Sequence, residues 1–162
     1  MDAYEVVDAL NKTLDLGDRL DDSGLGVKFL SDGEYTTRQM CQSELTLFLL
    51  YIASGNGSLT DGEVALLNLV SGQEYSASKL MQIASSRDEP KPTSCMTLMG
   101  FVSADIELSR QSGERTTTTT DFLITVFETF GNLMVAFDEN PVSKARCDKF
   151  INGMKTYVMK KL

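Results

Sequence analysis

The sequence predicts an all-α fold, a single-domain bundle of about seven helices. Apolar residues recur at steps of three and four along most of the chain, which is the spacing of amphipathic helices. Sustained alternation of apolar and polar residues, the pattern of a half-buried strand, is missing from the sequence. With 162 residues, 42% of them hydrophobic, the chain can bury a core without disulfides or a structural metal. We therefore take residues 1–162 as one domain.

Residues 1–36 predict one helix followed by an acidic connector. Val6, Leu10 and Leu14 form the apolar stripe of the helix, and Gly17 stands where it is expected to stop. The connector is rich in Gly, Asp and Ser and has no sustained period. We expect some of its hydrophobic residues to reach the core, and we interpret its GLG sequence as a turn because no apolar strand precedes it. The hydrophobic residues expected to reach the core are Val27, Phe29 and Leu30, and the glycines of the GLG turn are Gly24 and Gly26.

Residues 37–86 predict three helices. The stretch 37–54 is apolar on almost every side, which indicates a central helix. GNGS then breaks the pattern, and Thr60 with Glu63 predicts a capping box that opens the second helix. Ser76 begins a third, short helix that ends at Ser86. The prolines of the RDEPKPTS segment mark a linker at the midpoint of the chain.

Residues 94–162 predict three more helices. Thr93 or Ser94 is expected to cap a helix that runs to about residue 112. Residues 116–120 are all threonine, and we interpret them as a loop ending in an N-cap because Asp121 and an apolar run follow at once. That run, 122–137, predicts a core helix that is too short and too polar to span a bilayer. Asn140 and Pro141 open the last helix.

The composition excludes several classes of function. With no histidine, the chain cannot form a Ser–His or Cys–His catalytic pair or an HExxH zinc site. The 15 basic and 23 acidic residues give a formal net charge of −8, and the average field of such a chain repels a nucleic acid. The acidic N-terminus has no signal-peptide pattern. We expect a cytoplasmic protein that binds no nucleic acid and does not insert into a membrane.

The three cysteines indicate neither a disulfide framework nor an enzyme. Cys41, Cys95 and Cys147 form an odd set without CxxC spacing, and each lies in a stretch predicted as helix. Helical cysteines flanked by apolar residues are usually part of the core. Cys95 differs because the helix N-terminus predicted beside it would lower its thiol pKa. Since no histidine is available as a base, we expect a non-enzymatic protein.

Charge is distributed unevenly along the chain. Residues 1–34 hold nine acidic residues against three basic ones, whereas residues 144–162 hold six basic residues and one acidic residue. This segregation either brings the two ends of the chain together or steers a protein partner. We favour the first interpretation.

Two segments of the chain look like copies of one element. Residues 47–67 and 131–151 align when Ala53 is set against Ala136, which places Thr60 opposite Ser143. Each copy reads as a buried helix, a polar turn, one aliphatic residue, a hydroxyl cap and an amphipathic helix. The alignment predicts a pseudo-twofold internal repeat with halves at about 37–86 and 94–162. The alternative is chance agreement between two helix-turn-helix segments.

The first of these turns resembles a known family. The residues from Ala53 to Glu63, ASGNGSLTDGE, are similar to the A-x-A-D-G-x-(aliphatic)-(Ser/Thr)-x-x-E turn of TerB-like tellurite-resistance proteins. The resemblance covers the halves that flank both turns. It implies a duplicated all-helical bundle whose acidic turns bind a metal ion or a small ligand. It also implies a role in bacterial stress response or phage defence, within larger assemblies near the membrane.

Position by position, this chain departs from the family's acidic pattern. The family's Asp and Glu fall on Asn56 and Glu63 in the first turn, and on Glu139 and Arg146 in the second. A hard cation needs several oxygen ligands, whereas Asn56 offers a neutral carbonyl and Arg146 a positive charge. The alternative is that Glu63 caps its helix and the acids of the second turn compensate helix dipoles. The candidate ligands for a divalent cation are Asn56, Asp61, Glu63, Asp138 and Glu139.

Two functions follow from these observations. The first is a non-enzymatic TerB-like binding or scaffold module of bacterial stress response, with a divalent cation or small ligand at the acidic turns. The second is a small acidic helical adaptor, such as a secretion chaperone or an immunity protein, that covers one protein partner. Both predict a protein partner, require no cofactor other than the possible cation, and leave the oligomeric state open.

Overall fold

The computed structural model describes residues 3–24 and 35–162, and it consists of helices joined by short turns over both ranges. No strand occurs in either range, which confirms the predicted all-α bundle. Within these ranges the α-helices are α1 (Ala3–Asp22), α2 (Thr37–Ala53), α3 (Asp61–Ser71), α4 (Ala77–Ser86), α5 (Met96–Ser112), α6 (Thr118–Ala136) and α7 (Pro141–Lys161).

Short 3-10 helices cover Ser54–Asn56 and Pro92–Ser94. Among the described residues, no helix combines the length and the apolar content that a membrane span needs. Gly24 has a φ of 76°, as a turn glycine does. The connector positions Gly26, Val27, Phe29 and Leu30 lie outside the described residues.

The centre of the core is a cluster of three aromatic rings from α2, α6 and α7. Phe48 lies 4.5 Å from Phe150 and 5.4 Å from Phe127, measured between ring centroids. Gly131 lets α6 approach this cluster, because a Cβ there would lie 2.7 Å from the Sγ of Cys147. α2 packs against α1, α3, α5, α6 and α7, so the prediction that it is the central helix is confirmed.

The expected stop of the first helix at Gly17 is wrong. α1 continues to Asp22, and Gly17 is buried against the start of α2. A Cβ at this position would lie 3.2 Å from the backbone nitrogen of Arg38. The glycine therefore serves the close approach of two helices, although it weakens the helix that contains it.

α2 begins against a carboxylate that belongs to α1. Asp21 accepts hydrogen bonds from the Thr37 amide at 2.9 Å and from the Thr37 hydroxyl at 2.5 Å. A local capping box adds to it, because Thr36 accepts from the Gln39 amide and Gln39 accepts from the Thr36 amide. The first amides of a helix lack intrahelical acceptors, so these side chains supply the acceptors.

The start of α5 also depends on a carboxylate of another helix, and it differs from the prediction. Its N-cap residue is Cys95, not Thr93 or Ser94, and Cys95 makes no side-chain capping bond. Glu44 of α2 takes that role. Its carboxylate accepts from the amides of Met96 at 2.8 Å and Thr97 at 2.6 Å, and from the Thr97 hydroxyl.

α6 begins within the threonine run, three residues before Asp121. Asp105 of α5, which is fully buried, accepts from the amides of Thr119 at 3.2 Å and Thr120 at 2.8 Å. The Thr120 hydroxyl donates to the same carboxylate at 2.6 Å. The interpretation of residues 116–120 as a loop is therefore wrong for their second half, because a buried acid from the preceding helix caps them.

The structure gives the charged residues of the two chain ends separate partners. In α1, Asp15 and Asp18 pair with Arg38 of α2. In α7, Lys149 pairs with Glu89 and Lys155 pairs with Glu128 of α6. These ion pairs do not support the favoured interpretation that opposite charges bring the ends of the chain together.

We expect Asp105→Ala to lower the free energy of unfolding by about 2–4 kcal/mol, because it leaves two buried amides and one buried hydroxyl without an acceptor. Urea denaturation followed by circular dichroism measures this loss.

The matched control for this prediction is Asp121→Ala. Asp121 is also in the first turn of α6, but it is exposed, and within the described ranges its side chain accepts only from the Thr117 hydroxyl. We expect the control to cost less than about 1 kcal/mol. Equal losses for the two variants would contradict the role of Asp105.

Candidate functional site

Two turns meet at one end of the bundle. The first follows α2 as the Ser54–Asn56 helix and reverses at Gly57, whose φ is 85°. The second joins α6 to α7. The side-chain amide of Asn56 donates a hydrogen bond to the carboxylate of Asp138, 82 residues further along the chain. We call residues 54–63 and 137–143 the paired turns.

The predicted capping box at the start of α3 is confirmed. The Thr60 hydroxyl accepts from the Glu63 amide at 3.2 Å, and the Glu63 carboxylate accepts from the Thr60 amide at 2.7 Å. Glu63 is only 1% exposed. Its carboxylate is thus buried and committed to the helix terminus.

The second copy does not carry the hydroxyl cap that the alignment predicts. Asn140 caps α7 by accepting from the amides of Val142 at 2.8 Å and Ser143 at 3.4 Å, and Pro141 follows at the first helical position as predicted. Ser143 is buried, and its hydroxyl donates instead to the Ile52 carbonyl at 2.7 Å. The pseudo-twofold repeat stays a prediction.

Arg146 occupies the position aligned with Glu63, and it binds the end of α2. Its Nη1 donates to the Tyr51 carbonyl at 2.7 Å, and its guanidinium lies 4.3 Å from the centroid of the Tyr51 ring. The last carbonyls of a helix lack intrahelical donors. Arg146 and Ser143 supply donors to this end of α2.

The structure places the five candidate cation ligands at the same end of the bundle but in different roles. Asn56 binds Asp138, Glu63 caps α3, Asp61 is exposed, and Glu139 is exposed with a φ of 46°. In the described ranges, no three His, Cys, Asp or Glu side chains are grouped so that they could hold a metal ion. A cation site at the paired turns therefore rests on the resemblance alone.

The outer face of the paired turns exposes two large apolar side chains, which the sequence did not indicate. Phe137, expected at the end of a core helix, is 46% exposed, and Val142 is 47% exposed. Each packs on a glycine of the first turn. A Cβ at Gly62 would lie 2.6 Å from the Phe137 ring, and one at Gly55 would lie 3.2 Å from Val142.

A cleft of about 720 Å³ opens beside the paired turns, between α2, α4, α7 and the segment 87–95. Part of its lining is apolar, and ionisable side chains surround that part. The apolar residues are Leu47, Leu50, Met81, Ala84 and Phe150. The ionisable residues are Glu44, Tyr51, Arg87, Asp88, Glu89, Lys91, Cys95 and Arg146. Because four separate segments build it, no local sequence pattern indicates this cleft.

A tyrosine and a lysine hold the 87–95 segment against the helices. The Tyr51 hydroxyl donates to Glu89 at 2.7 Å, and the Lys149 ammonium lies 3.4 Å from the same carboxylate oxygen. These contacts lower the pKa of Glu89, and burial together with Glu89 raises the pKa of Tyr51. At neutral pH the Glu89 carboxylate is therefore ionised and the Tyr51 hydroxyl is protonated.

Cys95 does not have the lowered thiol pKa that its position suggested. It is buried, and burial together with the nearby Glu44 carboxylate raises its pKa well above the ordinary value. The same causes raise the pKa of Cys41 to about 12, and burial raises that of Cys147 to about 11. At Cys95, burial and the Glu44 carboxylate together outweigh the hydrogen bond from the Leu98 amide at the helix N-terminus, which lowers the pKa. All three thiols are therefore protonated at neutral pH.

No family model, curated protein or solved structure matches this chain.

A titration with Ca²⁺, Mg²⁺ and Mn²⁺ tests the cation site. Because Glu63 is committed to the α3 cap and Asp138 to Asn56, we expect the melting temperature to stay unchanged at millimolar metal. A thermal-shift assay measures it. A rise in melting temperature that Asp138→Ala and Glu139→Ala both abolish would overturn this expectation and support the predicted site. The control is Asp88→Ala, in the exposed segment after α4, which leaves the candidate ligands in place.

Proposed function

We propose that this chain is a non-enzymatic binding module that docks on a protein partner through the paired turns. The observation that carries the proposal is that Phe137 and Val142 are exposed although each packs on a glycine of the first turn. Aromatic side chains are enriched at protein interfaces, and a side chain that its surroundings already hold in place loses little entropy on binding.

Charge at the same surface defines the chemistry of the partner. Asp61 and Glu139 are exposed and Asp138 is half-buried beside the two apolar side chains. The paired turns contain no Lys or Arg. Lys144, which directly follows the second turn in the sequence, is paired with Asp148 at 3.2 Å. The surface therefore suits a partner that presents an apolar side chain surrounded by basic residues.

The resemblance of residues 53–63 to the TerB-like turn supports the same class of function. In that family the turns are where ligands bind, and the proteins act within larger assemblies in bacterial stress response. The adaptor alternative also requires a docking surface, so both functions depend on the same contact.

We expect Phe137→Ser to reduce capture of the partner about tenfold or more, because truncating an interface anchor typically costs about 2 kcal/mol. Tagged wild type and variant are incubated in parallel with lysate of the source cells at low salt. Quantitative mass spectrometry then compares the proteins retained by each.

The matched control is Ile106→Ser in α5, since Ile106 is 45% exposed and lies outside the paired turns. A protein captured by wild type and by the control but lost from Phe137→Ser, and released at high salt, supports the proposal. Equal capture by Phe137→Ser and Ile106→Ser would refute docking at the paired turns.

A further inference from the structure

We propose that the cleft between α2, α4, α7 and the 87–95 segment binds a small organic monocarboxylate with an apolar body. This site uses neither Phe137 nor Val142 and so is independent of docking at the paired turns. The argument rests on the cleft's apolar wall, on the position of Arg146, and on the partners of the acids that line the cleft.

The apolar wall is formed by helices from both halves of the chain. Leu50 and Phe150 are buried at its base, and Leu47, Met81 and Ala84 are half-buried around them. A volume of about 720 Å³ lies within the range of ligand pockets, which are commonly apolar with a few fixed polar groups. This wall accounts for the apolar body of the ligand.

Arg146 is fixed in the cleft before any ligand arrives. Its Nη1 is held by the Tyr51 carbonyl, and its guanidinium plane is placed over the Tyr51 ring. Among the described residues, no carboxylate is paired with Arg146. The guanidinium therefore keeps N–H groups for an acceptor, and its planar fork matches a carboxylate.

Two of the acids in the cleft are already satisfied. The Glu44 carboxylate accepts from the first amides of α5 and from the Thr97 hydroxyl. Glu89 accepts from Tyr51 and pairs with Lys149. Both carboxylates are therefore occupied by donors of the protein itself, and Lys149 neutralises the charge of Glu89.

The remaining charges favour one negative charge on the ligand. Arg87 and Lys91 are exposed at the rim, where they add to the attraction of Arg146, while Asp88 stands between them. Counted together with Lys149, the charged side chains here are four bases (Arg87, Lys91, Arg146 and Lys149) against three acids (Glu44, Asp88 and Glu89), which leaves one net positive charge beside the half-buried guanidinium in a chain with a net charge of −8. A single carboxylate matches that fork, whereas a dianion faces Asp88 and the acidic chain around it.

The test uses the whole protein labelled with ¹³C at its methionine methyl groups. Met81 lines the cleft, and Met159 is 80% exposed on α7 outside it, so the second serves as an internal control. We expect octanoate to shift the Met81 signal in a saturable manner and to leave Met159 unchanged. Octylammonium, with the same body and the opposite charge, and inorganic phosphate, with no apolar body, are expected to leave Met81 unchanged.

Variants then assign the charge that is recognised. Arg146→Gln is expected to weaken octanoate binding about tenfold or more, because it removes a charge-assisted hydrogen bond. Lys144→Gln removes the same charge from the same helix outside the cleft and is expected to bind as wild type does. The comparison of octanoate with octylammonium needs no variant and so holds even where Arg146→Gln fails to fold. Equal responses of Met81 to octanoate and octylammonium, or equal affinity of folded Arg146→Gln and wild type, would overturn the proposal.

Discussion

A helix that begins inside a protein must find acceptors for amides that no residue of its own turn can satisfy. In this chain, three of the described helices obtain them from a carboxylate on another helix. Asp21 of α1 caps α2, Glu44 of α2 caps α5, and Asp105 of α5 caps α6. In each case one threonine donates both its amide and its hydroxyl to the acid. These caps fix where each helix starts and which helix it starts against.

The opposite end of α2 is held by donors from the last helix. Ser143 and Arg146 of α7 bind the carbonyls of Ile52 and Tyr51. The caps thus connect α1 with α2, α2 with α5 and α5 with α6, and the donors of α7 connect the last helix with α2. The two proposed binding surfaces, the paired turns and the cleft, both lie at the C-terminal half of α2, where α7 binds it. Arg146 joins them, because it secures the helix end and also lines the cleft.

The sequence predicted those features that local chemistry decides. The capping box of Thr60 and Glu63 and the start of α7 at Pro141 depend on residues at most three positions apart, and both are confirmed. The inter-helix caps could not be found in this way, since their partners lie between 14 and 53 residues apart. Polar residues such as Ser143 are ambiguous for the same reason. A hydroxyl beside a helix start reads as an acceptor for its own helix, whereas here it donates to another one.

The candidate site was predicted only in part. The alignment identified both turns as candidate ligand positions, whereas their contact through Asn56 and Asp138 is a finding of the structure. The burial of Glu63 and the exposure of Phe137 depend on how the turns pack on each other, which no single segment encodes. The need for glycine at positions 17 and 62 also depends on packing between segments, because another element approaches each of them closely.

Amide hydrogen exchange tests most directly whether the inter-helix carboxylates hold this bundle. The amides of Thr97 and Thr120 are expected to exchange slowly although they lie in the first turns of their helices, whereas Ser78, an exposed first-turn residue of α4, exchanges fast. In Glu44→Ala, exchange at Thr97 is expected to accelerate more than exchange at Thr120. Unchanged protection of Thr97 in that variant, or exchange of Thr97 in the wild type as fast as that of Ser78, would contradict the account.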